Sequence, residues 1–267
     1  MSYRMDGKSV IVTGAAHGIG LAIAQRFVRA GACVTMVDRD EDRLEREVEA
    51  LAGEGHDGRA QAFAGDIAQK LTATNLMAAT LDAFEAIDVL VNAARLVSHS
   101  DPLGGEGDRF EEVIAQNVTA TYRLCQVAAR RMLAESDEPL DASIINLSSI
   151  YARRAPTDLL AYAVSCAAIE HLTRLFAAAL APKGIRVNAL SVGGVPSRSL
   201  ADGFGGLDDL SERVSEAVPL GRAGAPADIA EAALFLASPG AAFVTGSVLT
   251  VDGGRLLVDP LRTEQET

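Results

Sequence analysis

Short apolar runs alternate with longer amphipathic stretches along most of this chain of 267 residues. The apolar runs are rich in valine and isoleucine and end at small or polar residues, which predicts buried strands. We place these strands at residues 10–12, 33–37, 59–63, 88–92, 142–147, 185–190 and 247–251. The intervening stretches carry apolar residues at helical spacing and predict helices at residues 21–30, 71–84, 110–133, 160–180 and 226–237.

This alternation predicts an α/β fold, a Rossmann-like doubly wound parallel sheet of about seven strands with helices on both faces. We expect a single domain over residues 1–267, with a substrate lid at about 193–220 that has room for one short helix and a polar tail at 255–267. Ligands of such sheets bind beyond the carboxyl ends of the strands. Five residues are expected to converge there: Asp38, Asp66, Asn92, Ser149 and Gly193.

Three glycines follow the first predicted strand in the segment Thr-Gly-Ala-Ala-His-Gly-Ile-Gly, residues 13–20. Gly14 permits a sharp turn, Gly18 lets a ligand approach the backbone, and Gly20 allows the helix to pack closely on the strand. The N–H groups and the dipole at the helix start then favour binding of a pyrophosphate. By itself, the pattern is also compatible with a tight turn that binds no ligand.

An aspartate at the end of the second predicted strand favours the ligand interpretation. Asp38 lies eighteen residues after Gly20, where a carboxylate can bind both ribose hydroxyls of a dinucleotide. The same carboxylate repels a 2′-phosphate, which predicts NAD rather than NADP, although Arg39 follows directly and weakens this preference. The alternative role for Asp38 is to cap a helix in the charged segment 40–49.

The composition limits the classes of function. With 49% hydrophobic residues the chain can bury a large core, and its net charge of −12 argues against a nucleic-acid partner. Cys33, Cys125 and Cys166 are scattered, so they form no disulfide framework and no metal-binding spacing, and we expect no metal. We find no signal-peptide pattern and no apolar run long enough to span a bilayer, so we expect a soluble, cytoplasmic protein without a membrane partner.

Further motifs follow the glycine turn along the chain. They are Asp66 after the third strand, Asn92-Ala-Ala after the fourth, Asn117 in the long helix, Ser149, Tyr162 thirteen residues later, and the ending Val244-Thr-Gly246…Val251-Asp-Gly-Gly254. Together with the glycine turn they resemble the short-chain dehydrogenase/reductase family over about residues 7–254. The resemblance implies hydride transfer between a nicotinamide and a small alcohol or ketone, and it leaves the substrate open. It also suggests a homodimer or homotetramer through helices 110–133 and 160–180, whose apolar faces core packing would also explain.

The resemblance implies three catalytic roles. Tyr162 would be the general acid or base at the substrate oxygen, Ser149 would orient that oxygen, and Asn117 would hold a water in the proton relay. Considered alone, Tyr162 is also compatible with a helix tyrosine whose hydroxyl is hydrated. Asn117 is equally compatible with a buried polar group of the helix.

The resemblance also implies contacts to the cofactor. Asp66 would contact the adenine, while Val195 and Ser197 would face the nicotinamide amide. The complete set of predicted cofactor-binding residues is Gly14, His17, Gly18, Ile19, Gly20, Asp38, Asp66, Asn92, Val195 and Ser197.

The chain departs from the family pattern at a central position. Cys166 stands four residues after Tyr162, on the same helix face, where the family usually has a lysine. The ammonium would lower the tyrosine pKa and bind the nicotinamide ribose, and a neutral thiol does neither. The chain's only lysines, Lys8, Lys70 and Lys183, lie elsewhere in the sequence.

Two more departures lie at the same crevice. Arg95 stands where a glycine usually follows Asn-Ala-Ala, and Val192 stands where the family usually has proline. For Arg95 we expect, in this order, a position facing solvent, replacement of the missing ammonium, or obstruction of cofactor space. Arg153 and Arg154 are further candidate cations, with a surface position as the stronger alternative.

The sequence is compatible with two functions. The leading one is NAD-dependent oxidoreduction of a small alcohol or ketone, with proton chemistry altered by Cys166, and Tyr162, Ser149 and Asn117 favour it. The alternative is a catalytically impaired dinucleotide-binding or scaffold protein, a pseudoenzyme, which Cys166 and Arg95 favour.

Overall fold

The computed structural model of this chain describes residues 3–100, 102–105, 108–134, 140–196 and 210–258. Within these ranges the strands are β1 (Ser9–Thr13), β2 (Cys33–Asp38), β3 (Ala60–Ala64), β4 (Val89–Asn92), β5 (Ala142–Ser149), β6 (Ile185–Val192) and β7 (Val248–Val251). All pairs are parallel, in the order β3-β2-β1-β4-β5-β6-β7. The predicted seven-stranded, doubly wound parallel sheet is confirmed.

Helices cover both faces of the sheet. In the described ranges they are α1 (Gly18–Arg29), α2 (Glu41–Leu51), α3 (Lys70–Phe84), α4 (Phe110–Ile114), α5 (Ala120–Ala134), α6 (Leu160–Leu180), α7 (Leu210–Glu216) and α8 (Pro226–Ala237). α1, α2 and α8 share one core, and α3, α5 and α6 share the other. Val10 and Val12 belong to the first core and Ile11 to the second, because successive strand residues point to opposite faces. Both faces are buried, so the strands read as continuous apolar runs.

The predicted and observed strand ends differ most at β5 and β6. The apolar pattern ends these strands at residues 147 and 190, whereas the ladder continues to the pair Ser149 and Val192. The added residues include three serines, which an apolar criterion excludes but which backbone pairing accommodates. Ser149 is therefore the last residue of a strand, held by the ladder, and does not belong to the following loop.

The long helix predicted at 110–133 is divided into two. A π-helical turn, Ala115–Thr119, joins α4 to α5 and contains Asn117. Such turns often lie at functional sites. No glycine or proline marks this turn in the sequence. In the predicted lid, α7 is the short helix that was expected, while residues 197–209, including Ser197, lie outside the described residues.

The strand order reverses between β1 and β4, which opens a crevice at the carboxyl ends of these strands. Thr13, the last residue of β1, holds the two edges of this crevice together. Its Oγ1 accepts hydrogen bonds from the N–H groups of Ala93 at 3.0 Å and Ala94 at 3.1 Å. The backbone after β4 is thereby fixed beside the glycine turn.

One described helix, Leu160–Lys183, which is α6 with its last turn, is apolar and long enough to pass for a membrane span. This differs from our expectation that the chain has no such run. The inner face of α6 packs against β5 and β6 and buries Tyr162 and Cys166, as a core helix of an α/β domain does. Its outer face exposes Val164 and Leu175.

Candidate active site

The turn between β1 and α1 forms one wall of a groove of about 1040 Å³ at the carboxyl end of the sheet. We call it the glycine groove. A Cβ at Gly14, where φ is +70°, would lie 2.8 Å from the Cα of Ala94, and a Cβ at Gly20 would overlap the carbonyl oxygen of Gly14. Gly18 has φ +55°, and nothing lies within 4 Å of its Cβ position. The turn therefore requires glycine at all three positions, twice for packing and once for an open approach.

The predicted turn residues all line the glycine groove, namely Gly14, His17, Gly18, Ile19 and Gly20. The ring of His17 lies at the edge, with Nε2 3.1 Å from Oδ2 of Asp40.

The structure distinguishes between the two roles considered for Asp38. Asp40 caps α2, because its side chain accepts a hydrogen bond from the N–H of Arg43 at 3.1 Å. Asp38 lines the glycine groove instead. Its carboxylate accepts hydrogen bonds from the N–H of Ala16 at 3.1 Å and of Arg39 at 2.7 Å. The carboxylate is thus fixed between the end of β2 and the glycine turn.

Arg39 bridges the far end of the glycine groove. Its guanidinium donates to Asp66 at 2.6 Å and to Gln116 at 2.8 Å. Partial burial of the Asp66 carboxyl favours its neutral form, but the hydrogen bonds from Arg39 and from the N–H of Ala68 outweigh this and hold its pKa below the usual range. Asp66 is therefore an ionised partner of Arg39, and its neighbours Gly65 and Ile67 line the groove.

Asn92 does not reach the groove with its side chain. Its amide is buried inside the sheet, where it donates to Oδ1 of Asn146 at 2.8 Å and contacts the thiol of Cys125 at 3.4 Å. Asn146 in turn donates to Thr173 of α6 at 3.0 Å. This chain of bonds ties β4 to β5 and to α6, so the contribution of Asn92 to the site is the position of the backbone that follows it.

A smaller pocket of about 360 Å³ lies beyond β5 and β6, and we call it the Ser149–Tyr162 pocket. Ser149 is 5% exposed and donates its hydroxyl to the carbonyl of Val192 at 3.2 Å. Tyr162 lies in the first turn of α6, is 3% exposed and packs edge-on against the ring of Tyr151. Val195 lines the same pocket. Three of the predicted residues, Ser149, Tyr162 and Val195, therefore come together here.

Arg95 connects the two cavities, because it lines both of them. Its guanidinium donates to the hydroxyl of Tyr162 at 3.0 Å and to the carbonyl of Ser148 at 3.3 Å. Our first expectation, that Arg95 faces solvent, is wrong. β4 and β5 are neighbours and α6 begins beyond β5, so a long side chain that leaves the end of β4 spans β5 and reaches Tyr162.

The other two candidate cations point away from Tyr162. Arg153 pairs with Glu170 at 3.6 Å and donates to Thr250 at 3.3 Å. Arg154 donates to the backbone carbonyls of Arg255 at 2.5 Å and Val258 at 3.4 Å. Arg95 is thus the one of the three candidate arginines that contacts the phenol.

Burial dominates the proton chemistry of Tyr162 and Cys166, which pack together with Val97 and Leu159. Burial raises the pKa of Tyr162 above its usual value; the cation of Arg95 and a hydrogen bond with Ser149 oppose the rise, and Cys166 adds to it. Burial also raises the pKa of the Cys166 thiol. At neutral pH both groups therefore keep their protons, and Cys166 is a neutral, apolar neighbour of the phenol.

Asn117 is engaged entirely with protein groups. Its carbonyl oxygen accepts from the N–H of Leu96 at 2.7 Å, and its amide donates to the carbonyl of Leu96 at 2.9 Å and to the hydroxyl of Ser165 at 3.0 Å. Both amide protons are used, so the side chain fixes the backbone directly after Arg95. Of the two alternatives for Asn117, these contacts favour the buried polar group.

Sequence reasoning missed two features of the site. The bridge from Arg39 to Asp66 and Gln116 joins segments far apart in the chain, and no local pattern signals it. Arg255 lines the Ser149–Tyr162 pocket, and its only sequence signal is its place directly after Asp-Gly-Gly. Across the described ranges, no group of three or more histidine, cysteine or acidic side chains is arranged to hold a metal ion.

Comparison with known proteins agrees with this geometry. Residues 14–255 match the family model described as enoyl-(acyl carrier protein) reductase. The chain is 36% identical over 254 residues to galactitol 2-dehydrogenase (L-tagatose-forming) of Cereibacter sphaeroides, covering 94% of this chain and 96% of the relative. It is 34% identical over 256 residues to a 3-oxoacyl-(acyl carrier protein) reductase of Chlamydia pneumoniae, covering 95% and 99% of the two chains.

A solved structure supports the same assignment. The short-chain dehydrogenase/reductase of Brucella melitensis, described as a glucose/ribitol dehydrogenase, is similar with a TM-score of 0.86 and 28% identity, over 96% of this chain and 99% of that one. The similarity in fold therefore extends over nearly the whole chain. The protein therefore belongs to the short-chain dehydrogenase/reductase family of oxidoreductases.

Proposed function

We propose that this protein transfers hydride between NAD and a small alcohol or ketone, with Tyr162 as the proton-transferring group. The main support is geometric, because Tyr162 and Ser149 share a pocket that Arg95 links to the glycine groove. Galactitol 2-dehydrogenase and 3-oxoacyl-(acyl carrier protein) reductase are named for conversions between a hydroxyl and a carbonyl. Both names are consistent with this chemistry.

The residues of the glycine groove fit a dinucleotide. The open face of Gly18 and the first N–H groups of α1 suit a pyrophosphate, and Asp38 stands where a ribose diol would bind. Gly65 and Ile67 would contact the adenine, beside the bridge made by Arg39. When bound, the dinucleotide supplies the hydride acceptor for alcohol oxidation or the hydride donor for ketone reduction.

The proton moves at the hydroxyl of Tyr162. In oxidation the phenolate takes the proton of the substrate hydroxyl as the C–H bond breaks and the carbonyl forms, and in reduction the neutral phenol returns that proton to the oxygen. Ser149 orients the substrate oxygen by a hydrogen bond. Asn117 is a positioning residue, since it holds the backbone of Leu96 beside Arg95.

Arg95 takes over part of the role of the missing lysine. Its guanidinium donates to the hydroxyl of Tyr162 at 3.0 Å and lowers the pKa of that phenol against the effect of burial. A guanidinium stays protonated in proteins, so this assistance persists across the working pH range. Cys166 supplies no charge and fills the space behind the phenol.

The proposed function is tested by NADH fluorescence titration, followed by turnover of a panel of small alcohols and ketones at pH 7 and pH 10. We expect NADH to bind and at least one substrate to turn over. Tyr162→Phe should keep NADH binding and lose turnover by about 1000-fold or more. Binding without turnover across the panel would favour a dinucleotide-binding protein that lacks catalysis.

Asp38 should set the cofactor preference. We expect NADH to bind about 10-fold or more tightly than NADPH, because a 2′-phosphate beside this carboxylate is repelled and 1.4 kcal/mol already corresponds to tenfold. Asp38→Ser should reduce this difference in affinity, since the repelling carboxylate is removed while Arg39 still lines the same groove. The control is Asp42→Ser, which removes the same charge from α2 outside the groove. It should leave the affinities for NADH and NADPH unchanged. Equal affinities of the unaltered protein for the two cofactors would refute the preference.

The outer faces of α5 and α6 support self-association. Tyr122, Val164 and Leu175 are all more than 40% exposed on these helices. Large apolar side chains in such a position favour burial against a second copy of the chain. We propose a homodimer or homotetramer through this face. Analytical sedimentation of the unaltered protein and of the double variant Val164→Glu/Leu175→Glu tests this proposal. We expect the unaltered protein to be an oligomer and the variant to dissociate, and finding that both are monomers would contradict the proposal.

A further inference from the structure

An arginine at the Ser149–Tyr162 pocket has one buried side-chain nitrogen that finds no partner among the described residues. Arg255 lines this pocket, and its Nε is shielded from solvent and has no hydrogen-bond partner in the described part of the chain. Burying a charged polar group without a partner is unfavourable, and arginine does not avoid it by losing its proton. A bound anion would offset the unfavourable burial.

The backbone holds Arg255 in place independently of its side chain. Its N–H donates to the carbonyl of Asp252 at 3.2 Å, and its own carbonyl accepts from Arg154 at 2.5 Å. The carboxylate of Asp252 is occupied by the N–H groups of Gly254 and Leu256, at 2.9 and 2.8 Å. The carboxylate of Asp252 is therefore held by the turn and forms no ion pair with the Arg255 guanidinium.

The surroundings are positive in a chain whose net charge is −12. Arg95 and Arg154 donate to hydroxyl and carbonyl oxygens, and among the described residues neither forms an ion pair with a carboxylate. By contrast, Arg29 and Arg222, which lie away from this pocket, pair with Glu54 and Asp228. Arg95 and Arg255 line the pocket, and Arg154 contacts the backbone of Arg255 beside it. Cations without a carboxylate partner at one cavity of an acidic protein favour the binding of a negative ligand there.

We propose that Arg255 binds a carboxylate of the substrate, so that the preferred substrates are small hydroxy acids and the corresponding oxo acids. The planar fork of a guanidinium matches a carboxylate in a bidentate manner. This pocket is the smaller of the two cavities that Arg95 lines, which favours a small substrate. The aliphatic side chains of Val97, Ile150 and Val192 line the rest of the pocket and suit a short carbon chain between the two ends. This assignment rests on the proposed oxidoreductase function and specifies its substrate class.

The test compares hydroxy acids of three to six carbons with their methyl esters, with NAD in excess. We expect the unaltered protein to show a kcat/KM about 10- to 100-fold higher for the acids. Arg255→Gln should remove this preference by lowering kcat/KM for the acids much more than for the esters, and Arg255→Lys should retain part of it. Arg29→Gln, which removes one charge from a remote ion pair, should behave like the unaltered protein.

Equal rates for acid and ester in the unaltered protein, or a preference that survives in Arg255→Gln, would overturn the assignment. A higher kcat/KM for glycerol 3-phosphate than for any hydroxy acid would also overturn it, in favour of a phosphate group. A turnover-free measurement separates this inference from the proposed function. Propionate and malonate should raise the melting temperature of the unaltered protein saturably, and this rise should disappear in Arg255→Gln.

The possible failures are therefore distinguishable. If neutral alcohols are turned over and substituting Arg255 does not change the preference for acids, the carboxylate assignment is refuted and the oxidoreductase function stands. Carboxylate binding that depends on Arg255, combined with no turnover of any substrate, would remove the oxidoreductase function while the anion site remained.

Discussion

Replacing Cys166 with lysine is expected to accelerate alcohol oxidation at pH 7 by about 10- to 1000-fold and to move the pH profile of oxidation to lower pH. Oxidation requires Tyr162 as the phenolate. Burial raises the pKa of Tyr162, and Cys166 adds to that rise, so the phenolate is scarce at neutral pH. An ammonium four residues later on the same helix face would favour the phenolate. Below the pKa, each unit by which the pKa falls raises the ionised fraction tenfold.

Ketone reduction should respond less, because it uses the neutral phenol, which already predominates. The measurement is a pH–rate profile in both directions with one accepted substrate. Cys166→Met is the matched control, because methionine is similar to lysine in length but carries no charge. This variant should not shift the pH–rate profile. If the unaltered protein oxidises alcohols at full speed at pH 7 and the lysine variant shows no shift, another group already provides the cation.

Removing Arg95 should have the opposite effect. We expect Arg95→Gly to lower the rate of oxidation at pH 7 by about 10- to 100-fold and to move its profile to higher pH, because the cation that counteracts burial at Tyr162 is lost. Arg95→Lys keeps the charge and loses the planar guanidinium. Its oxidation rate at pH 7 should therefore lie between those of the unaltered protein and Arg95→Gly. The same pH–rate measurement compares all three.

The affinity for NADH provides an independent test of Arg95. Arg95 lines both cavities, so its guanidinium also stands between the glycine groove and Tyr162. If it assists catalysis, Arg95→Gly should leave NADH binding unchanged or weaken it, together with the loss of rate. Tighter NADH binding with unchanged or faster turnover would mean that the arginine obstructs the nicotinamide end, and the proposed assistance to Tyr162 would be wrong.

The two substitutions should be coupled when combined. Arg95→Gly/Cys166→Lys introduces the residues that the family resemblance implies at both positions. Both cations act on the same phenol, so the effects of the single changes should not add. We expect the double variant to approach the oxidation rate of Cys166→Lys at pH 7. Simple additivity would show that Arg95 and position 166 act on Tyr162 independently.

The fold could be predicted from the sequence because its signals are local. Seven apolar runs separated by helical stretches are enough to specify a parallel sheet covered on both faces. Gly14, Gly18 and Gly20 were recognisable because their spacing serves one turn, and the structure places all three on the groove. Asp38 was recognisable because it ends the strand beside that turn. The resemblance to a known family, which includes the spacing from Ser149 to Tyr162, likewise predicted two residues that share one pocket.

The sequence by itself thus determined the sheet and the glycine turn, and the family resemblance implied the pairing of Ser149 with Tyr162. The tertiary structure decided which way the long side chains point. Arg95 reaches Tyr162 because β5 lies between the end of β4 and the start of α6, and that neighbourhood is set by strand order. Arg39 contacts Asp66 and Gln116, and Asn92 contacts Asn146, across separations of 27 to 77 residues that no local spacing encodes. The partner of a long polar side chain depends on the packing of separate segments, so only the folded chain reveals it.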